Sequence, residues 1–170
     1  VRQVSAPQFG WPEPEYIGPE LLVDGSGNWV GDFDVAADAS EWTAGQGGSV
    51  SHTGTAMELT AGASTLCSIG KPYTFSSNKV YKLTFEITSS SAGVSRVYNY
   101  SADELHNFGV ANTSGTFEHV FTGGSSTRGF DIRLEGTEGS TATIDNISVK
   151  EVFFDRATDP LVLFNHPDDT

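Results

Sequence analysis

The stretch Lys79–Ser89, KVYKLTFEITS, limits the fold more than any other part of this chain. Tyr81, Leu83, Phe85 and Ile87 fall on one side of a two-residue repeat, with Lys82, Thr84 and Glu86 on the other. Successive side chains of a strand point to opposite faces, so this pattern predicts a strand with one buried face and one wet face. The same alternation returns in GTFEHVFTG, where Phe117, His119 and Phe121 oppose Glu118 and Val120. In RGFDIRLEG it places Phe130, Ile132 and Leu134 inward and Asp131 and Arg133 outward. TAMELTA, SRVYNYS and ATIDNISVKEV extend the series, and clusters of Gly, Ser and Asn separate the runs. Sheets with one apolar and one polar face pack in pairs, so the expected fold is all-β, an antiparallel β-sandwich over positions 21–152. No segment carries a sustained helical period, although SADELHNF has room for a single turn.

Two extensions flank this domain. Positions 1–20 hold Pro7, Pro12, Pro14 and Pro19, which exclude helix and discourage a central strand. The arm also carries Phe9, Trp11 and Tyr16, more aromatic surface than a solvated linker keeps. Positions 153–170 are apolar in PLVLF and broken at Pro160 and Pro167. The first arm is therefore expected to dock on a neighbouring subunit of a homo-oligomer or on its own domain, and the second to pair with a partner chain or with residues that follow it. Both suit assembly onto other proteins of a larger particle.

Charge and cysteine content narrow the function. With 22 acidic against 9 basic residues the net charge is −13, which disfavours nucleic acid as a partner. No apolar run approaches the roughly 18 residues of a membrane helix. Cys67 is the sole cysteine and reads as a small buried hydrophobe. The histidines, His52, His106, His119 and His166, show no metal-ligand spacing. No nucleophile elbow appears, and 22 acids leave any glycosidase carboxylate pair unmarked, so the chain is not expected to be an enzyme.

Aromatic faces with polar neighbours are what a sugar requires, because the C–H side of a pyranose stacks on a ring while hydroxyls seek hydrogen bonds. SRVYNYS puts Arg96, Tyr98 and Tyr100 on one strand face, and Glu86 and Arg133 are candidates on strands alongside. A core-facing pair of tyrosines is the competing reading. Trp42 reads as a core plug.

The order of motifs resembles a known family. ELLVDGSGNWVGDFD followed by EWTA, then KVYKLTFEIT, then ATIDNISVKEV, looks like carbohydrate-binding modules of the family 4/9/22 type, with a galactose-binding-like jelly roll. The opening departs from their pattern: Val30-Gly31-Asp32 stands where an Asn-Gly pair is usual, Asp34 where Glu is common, and Glu41 precedes Trp42 in place of Gly. The resemblance implies glycan binding without catalysis. It also implies a structural calcium ion between the opening and closing strands, with Asp34 and Asp145 as matching acids. Closing in DNISVKEV and running on into DRATDPLVLFNHPDDT is similar to modules of tailed-phage virion proteins on tail, fibre or capsid surface. The expectation is thus a virion component that attaches to cell-surface glycans; the alternative is a module of a secreted microbial glycoside hydrolase.

Overall fold

A computed structural model describes residues 15–91, 94–99, 104–107, 114–124 and 129–154. Among the described residues eleven strands and one short helix follow in chain order: β1 (Glu15–Glu20), α1 (Ala36–Ser40), β2 (Thr43–Gly45), β3 (Ser49–His52), β4 (Met57–Thr60), β5 (Leu66–Gly70), β6 (Val80–Ser90), β7 (Val94–Asn99), β8 (Glu104–Asn107), β9 (Gly115–Thr122), β10 (Phe130–Glu135) and β11 (Thr141–Phe154). They form two antiparallel sheets. The first has the order β3-β4-β11-β6-β9, with β1 joined to the far end of β11, and the second has the order β2-β5-β10-β7-β8. The expected β-sandwich is the observed fold.

The alternation read from the sequence sets the facing layers. Leu83, Phe85 and Ile87 of β6 and Ile144 and Val149 of β11 are fully buried, as are Cys67, Ile69, Val97, Ile132 and Leu134 of the second sheet. Burial pushes the Cys67 thiol pKa up, which keeps it an uncharged, inert filler. Trp42 is the expected plug: it packs 5.6 Å from Phe33, and its indole N–H donates to Val30 O at 2.7 Å.

Three expectations need correction. Glu104–Asn107, read as a possible turn of helix, is strand β8, because pairing with β7 satisfies its backbone better than one isolated helical turn. Glu86 and Arg133 do not occupy neighbouring strands: β6 belongs to the first sheet and β10 to the second, and each residue lies outside its own sheet. The strands reach beyond positions 21–152 at both ends. Glu15–Glu20 is an edge strand on β11, with Pro19 beside a register irregularity where a missing N–H is tolerated, and Phe153 and Phe154 close β11 itself. Positions 1–14 and 155–170 lie outside the described residues.

The opening and closing strands meet as expected, but Glu20 provides much of the connection. Its carboxylate accepts the backbone N–H groups of Leu21, Leu22 and Val149, each at 2.9–3.0 Å, and the Ser148 hydroxyl. On this edge of β11 the pairing with β4 ends at Ile144 and that with β1 starts at Lys150, so backbone donors between them need a partner outside the ladder. Glu20→Ala is expected to lower stability by about 2–4 kcal/mol, since hydrogen bonds to a charged group contribute about 1.5–3 kcal/mol each and compensate one another only in part. Denaturant unfolding reads this. A loss under about 1 kcal/mol means the carboxylate is not the tie.

Candidate functional site

The outer face of the second sheet carries two cross-strand rows. In one, Thr43 of β2 is paired with Gly70 of β5, the Asp131 carboxylate lies over Gly70, and Asp131 of β10 is paired with Tyr98 of β7. In the next, Gly45, Ser68, Arg133 and Arg96 follow in register. Ile132 and its partner Val97 are buried between the sheets, so Tyr98 points outward with Asp131 and Arg133. The competing core-facing reading of Tyr98 is thereby excluded. The Arg133 guanidinium sits 4.0 Å from the Tyr98 ring centre, a cation–π stack, and 3.7 Å from the Asp131 carboxylate.

Beside this pair lies a cavity of about 240 Å³ bordered by Thr43, Gly45, Ser68, Gly70, Lys71 and Asp131. Lys71 is buried and pairs with Glu41 at 2.7 Å. Of the residues predicted to bind sugar, the structure therefore brings Tyr98 and Arg133 together. Arg96 is described only as the backbone partner of Arg133, Tyr100 lies outside the described residues, and Glu86 is on the far side of the molecule. Lys71, Ser68 and the two glycines were not anticipated. Asp131 carried a usable signal, its outward phase in RGFDIRLEG, whereas a cavity floored by missing side chains leaves none.

A second polar cluster forms where the opening segment crosses β11. Gly31 O accepts Ile147 N–H at 2.8 Å, and the Trp29 indole donates to Ile147 O at 2.9 Å. Asn146 and Ile147, opposite Phe85, form the β-bulge just after Asp145, with Asn146 at φ 52°. Asn146 N–H donates to Asp145 Oδ1 at 2.7 Å and its amide to Glu86 at 3.2 Å. Asp34 and Asp145 are within electrostatic reach, as the resemblance implied. Burial pushes the Asp145 pKa up, the Asn146 N–H opposes this, and the charges of Glu86, Asp34 and Asp32 push it further. Asp32 is likewise raised, by burial first and then by Asp34 and Asp38, and its Oδ1 has no hydrogen-bond partner among the described residues. Hard oxygen donors suit calcium, but no three His, Cys, Asp or Glu side chains among the described residues converge on one point. The carboxylates present thus do not by themselves build a complete calcium site.

A carboxyl whose folded pKa is raised favours folding at pH values below its ordinary range, and that contribution is lost as pH rises through the folded value. Asp145→Asn, which keeps the acceptor for Asn146, is therefore expected to raise stability at neutral pH. The gain is on the order of a few tenths of a kcal/mol after solvent screening, and it fades below the ordinary carboxylate range. Thermal unfolding against pH in the presence of a chelator measures it; equal stability at every pH refutes the repulsion.

This architecture of two stacked antiparallel sheets is a β-sandwich like that of carbohydrate-binding modules. Among solved structures the chain is similar to the CBM22-1 xylan-binding domain of Xyn10C from Paenibacillus barcinonensis, at 9% identity over 71% of this chain and 90% of that one, with a TM-score of 0.52. It is also similar to the N-terminal cellulose-binding domain of β-1,4-glucanase C from Cellulomonas fimi, at 16% identity over 71% and 94%, with a TM-score of 0.43. The enzymatically active domain of tailspike protein 4 from bacteriophage CBA120 matches at 15% identity over 70% of this chain and 20% of that one, with a TM-score of 0.46. At such identities the likeness shows the fold alone. No family model and no curated protein matches the sequence.

Proposed function

We propose that this chain is a non-catalytic glycan-binding module whose ligand lies on the outer face of the second sheet. The observation that supports this is the Tyr98–Arg133 stack standing beside a cavity that Ser68, Lys71 and Asp131 help to line. A planar guanidinium backed by a ring offers a flat surface to a pyranose, and the adjoining polar groups offer partners to its hydroxyls. Glu86 plays no part, being outside the other sheet. Tyr98→Ala and Arg133→Ala are each expected to weaken binding on a glycan array by about tenfold or more, the usual cost of one stacking or charged contact. Unchanged binding in both variants removes the site. Failure of the wild type to bind any glycan removes the function.

For its setting, the proposal is a virion component of a tailed phage, with the flanking arms holding it to other virion proteins and to copies of itself. The resemblance of the closing segment and the aromatic, proline-rich opening support this. A module attached to a secreted glycoside hydrolase is the second reading, favoured by the xylan-binding domain among the similar structures. Mass measurement in solution separates them: a stable oligomer that falls apart on deletion of positions 1–14 fits the particle, and a monomer fits the tethered module. A structural calcium ion at the Asp34–Asp145 junction belongs to the same proposal, supported by the mutual repulsion of these acids. It would take its remaining oxygens from main chain and water. Millimolar calcium is then expected to raise Tm by about 2–4 °C over a chelator, and to do so no longer in Asp34→Asn. A Tm indifferent to calcium ends that part of the proposal.

A further inference from the structure

We propose that the cavity beside Gly45, Ser68, Gly70, Lys71 and Asp131 holds a single neutral sugar unit, the end of a glycan whose next units pass over Tyr98 and Arg133. This deepens the glycan-binding reading above and rests on it. Size is the first argument. At about 240 Å³ the cavity falls below the roughly 300–1,000 Å³ of pockets for drug-sized ligands, so it accommodates one ring and not a stretch of chain.

The floor exists because two side chains are missing. A Cβ on Gly45 would stand 2.7 Å from the Ser68 hydroxyl, and one on Gly70 would collide with the Asp131 carboxylate. Ser68 and Asp131, both buried, thereby border the bottom of a depression that Lys71 also lines.

Charge selects the ligand. Lys71 and Asp131 have side chains only 10% and 6% exposed, and each faces an opposite charge: Glu41 at 2.7 Å from Lys71, Arg133 at 3.7 Å from Asp131. A carboxylated sugar would compete with Glu41 for Lys71 while facing Asp131; an ammonium-bearing one would meet the converse. A hydroxyl both donates and accepts, so it can bridge a carboxylate and an ammonium without displacing either pair. Among the described residues no aromatic ring borders the cavity. Stacking is supplied instead by Tyr98, on β7 next to β10, about two strand spacings or roughly 10 Å from β5. Recognition of one unit by hydrogen bonds and of the following units by a planar surface gives affinity for chain ends.

The test titrates free glucose, galactose, mannose, xylose, N-acetylglucosamine and glucuronate into the full chain, followed by amide NMR shifts. At least one neutral sugar is expected to saturate at millimolar concentration and to shift the amides of Gly45, Ser68 and Gly70, while glucuronate does not. Lys71→Met, which leaves the 41%-exposed Glu41 free to hydrate, should weaken that sugar about tenfold or more. Gly45→Ala, whose methyl meets only the Ser68 hydroxyl, should do the same by filling the floor. Tyr98→Ala should weaken oligosaccharides by a larger factor than the free sugar. Oligosaccharide binding that depends on Tyr98 but has no monosaccharide counterpart, or is indifferent to both Lys71→Met and Gly45→Ala, overturns this inference and leaves the glycan site standing. Tighter binding of glucuronate than of any neutral sugar also overturns it. Absence of all glycan binding removes both readings together.

Discussion

Replacing Gly31 with alanine is expected to cost at least about 4 kcal/mol, a large share of the roughly 5–15 kcal/mol that holds a domain together. The reason is a close approach of two backbones. A methyl group at Gly31 would fall on the carbonyl oxygen of Ile147 and close to the Trp29 indole nitrogen. Ile147 O is the acceptor for that indole, and Ile147 N–H donates to Gly31 O, so separating the chains breaks both hydrogen bonds in a buried place. Backbone cannot swing aside as a side chain can. Trp29→Phe removes only the indole bond and should cost about 1 kcal/mol, which isolates the backbone contribution. Soluble yield and denaturant midpoint read both variants. A Gly31→Ala protein within about 1 kcal/mol of wild type would falsify the close packing of the opening segment on β11.

The second large effect is expected at Phe75. It is fully buried, and its ring centre lies 4.6 Å from that of Tyr73, 4.7 Å from Tyr81, 5.1 Å from Phe121 and 6.2 Å from Phe130. These rings come from both sheets, and Phe75 itself sits between β5 and β6, closing one end of the sandwich. Phe75→Ala should lower stability by about 3–5 kcal/mol, from lost transfer energy and from a cavity that four converging segments cannot easily fill. Phe75→Leu should cost about half as much, because most of the volume remains. If alanine and leucine prove equal, the ring cluster is not packed as described.

The strands were legible because their burial follows a two-residue period that few other structures produce. Lys79–Ser89, Gly115–Gly123 and Gly129–Gly136 each place inward the residues that alternation selects. Phe75 was not legible: a plug in a connection obeys no period, and one aromatic in KPYTFSS looks like any other. Nor was Glu20, whose role depends on backbone donors 129 residues away. ATIDNISV did carry a trace of the bulge, since its apolar phase slips by one residue between Ile144 and Ile147. The outward Arg133 came from alternation, whereas for Tyr98 alternation gave a face shared with Arg96 and left its direction open. Pairing Glu86 with Arg133 failed because periodicity assigns a face within a sheet and says nothing of which sheet a strand joins.

The length of β11 has a kinetic consequence. One strand of 14 residues supplies partners for β1, β4 and β6, all of which precede it by 50 residues or more. During translation these three emerge from the ribosome with an edge still open and wait for β11, so the first layer zips up last. Nascent chains stalled short of position 141 should therefore be protease-sensitive throughout that layer, and chaperone dependence should end once the final segment clears the exit tunnel.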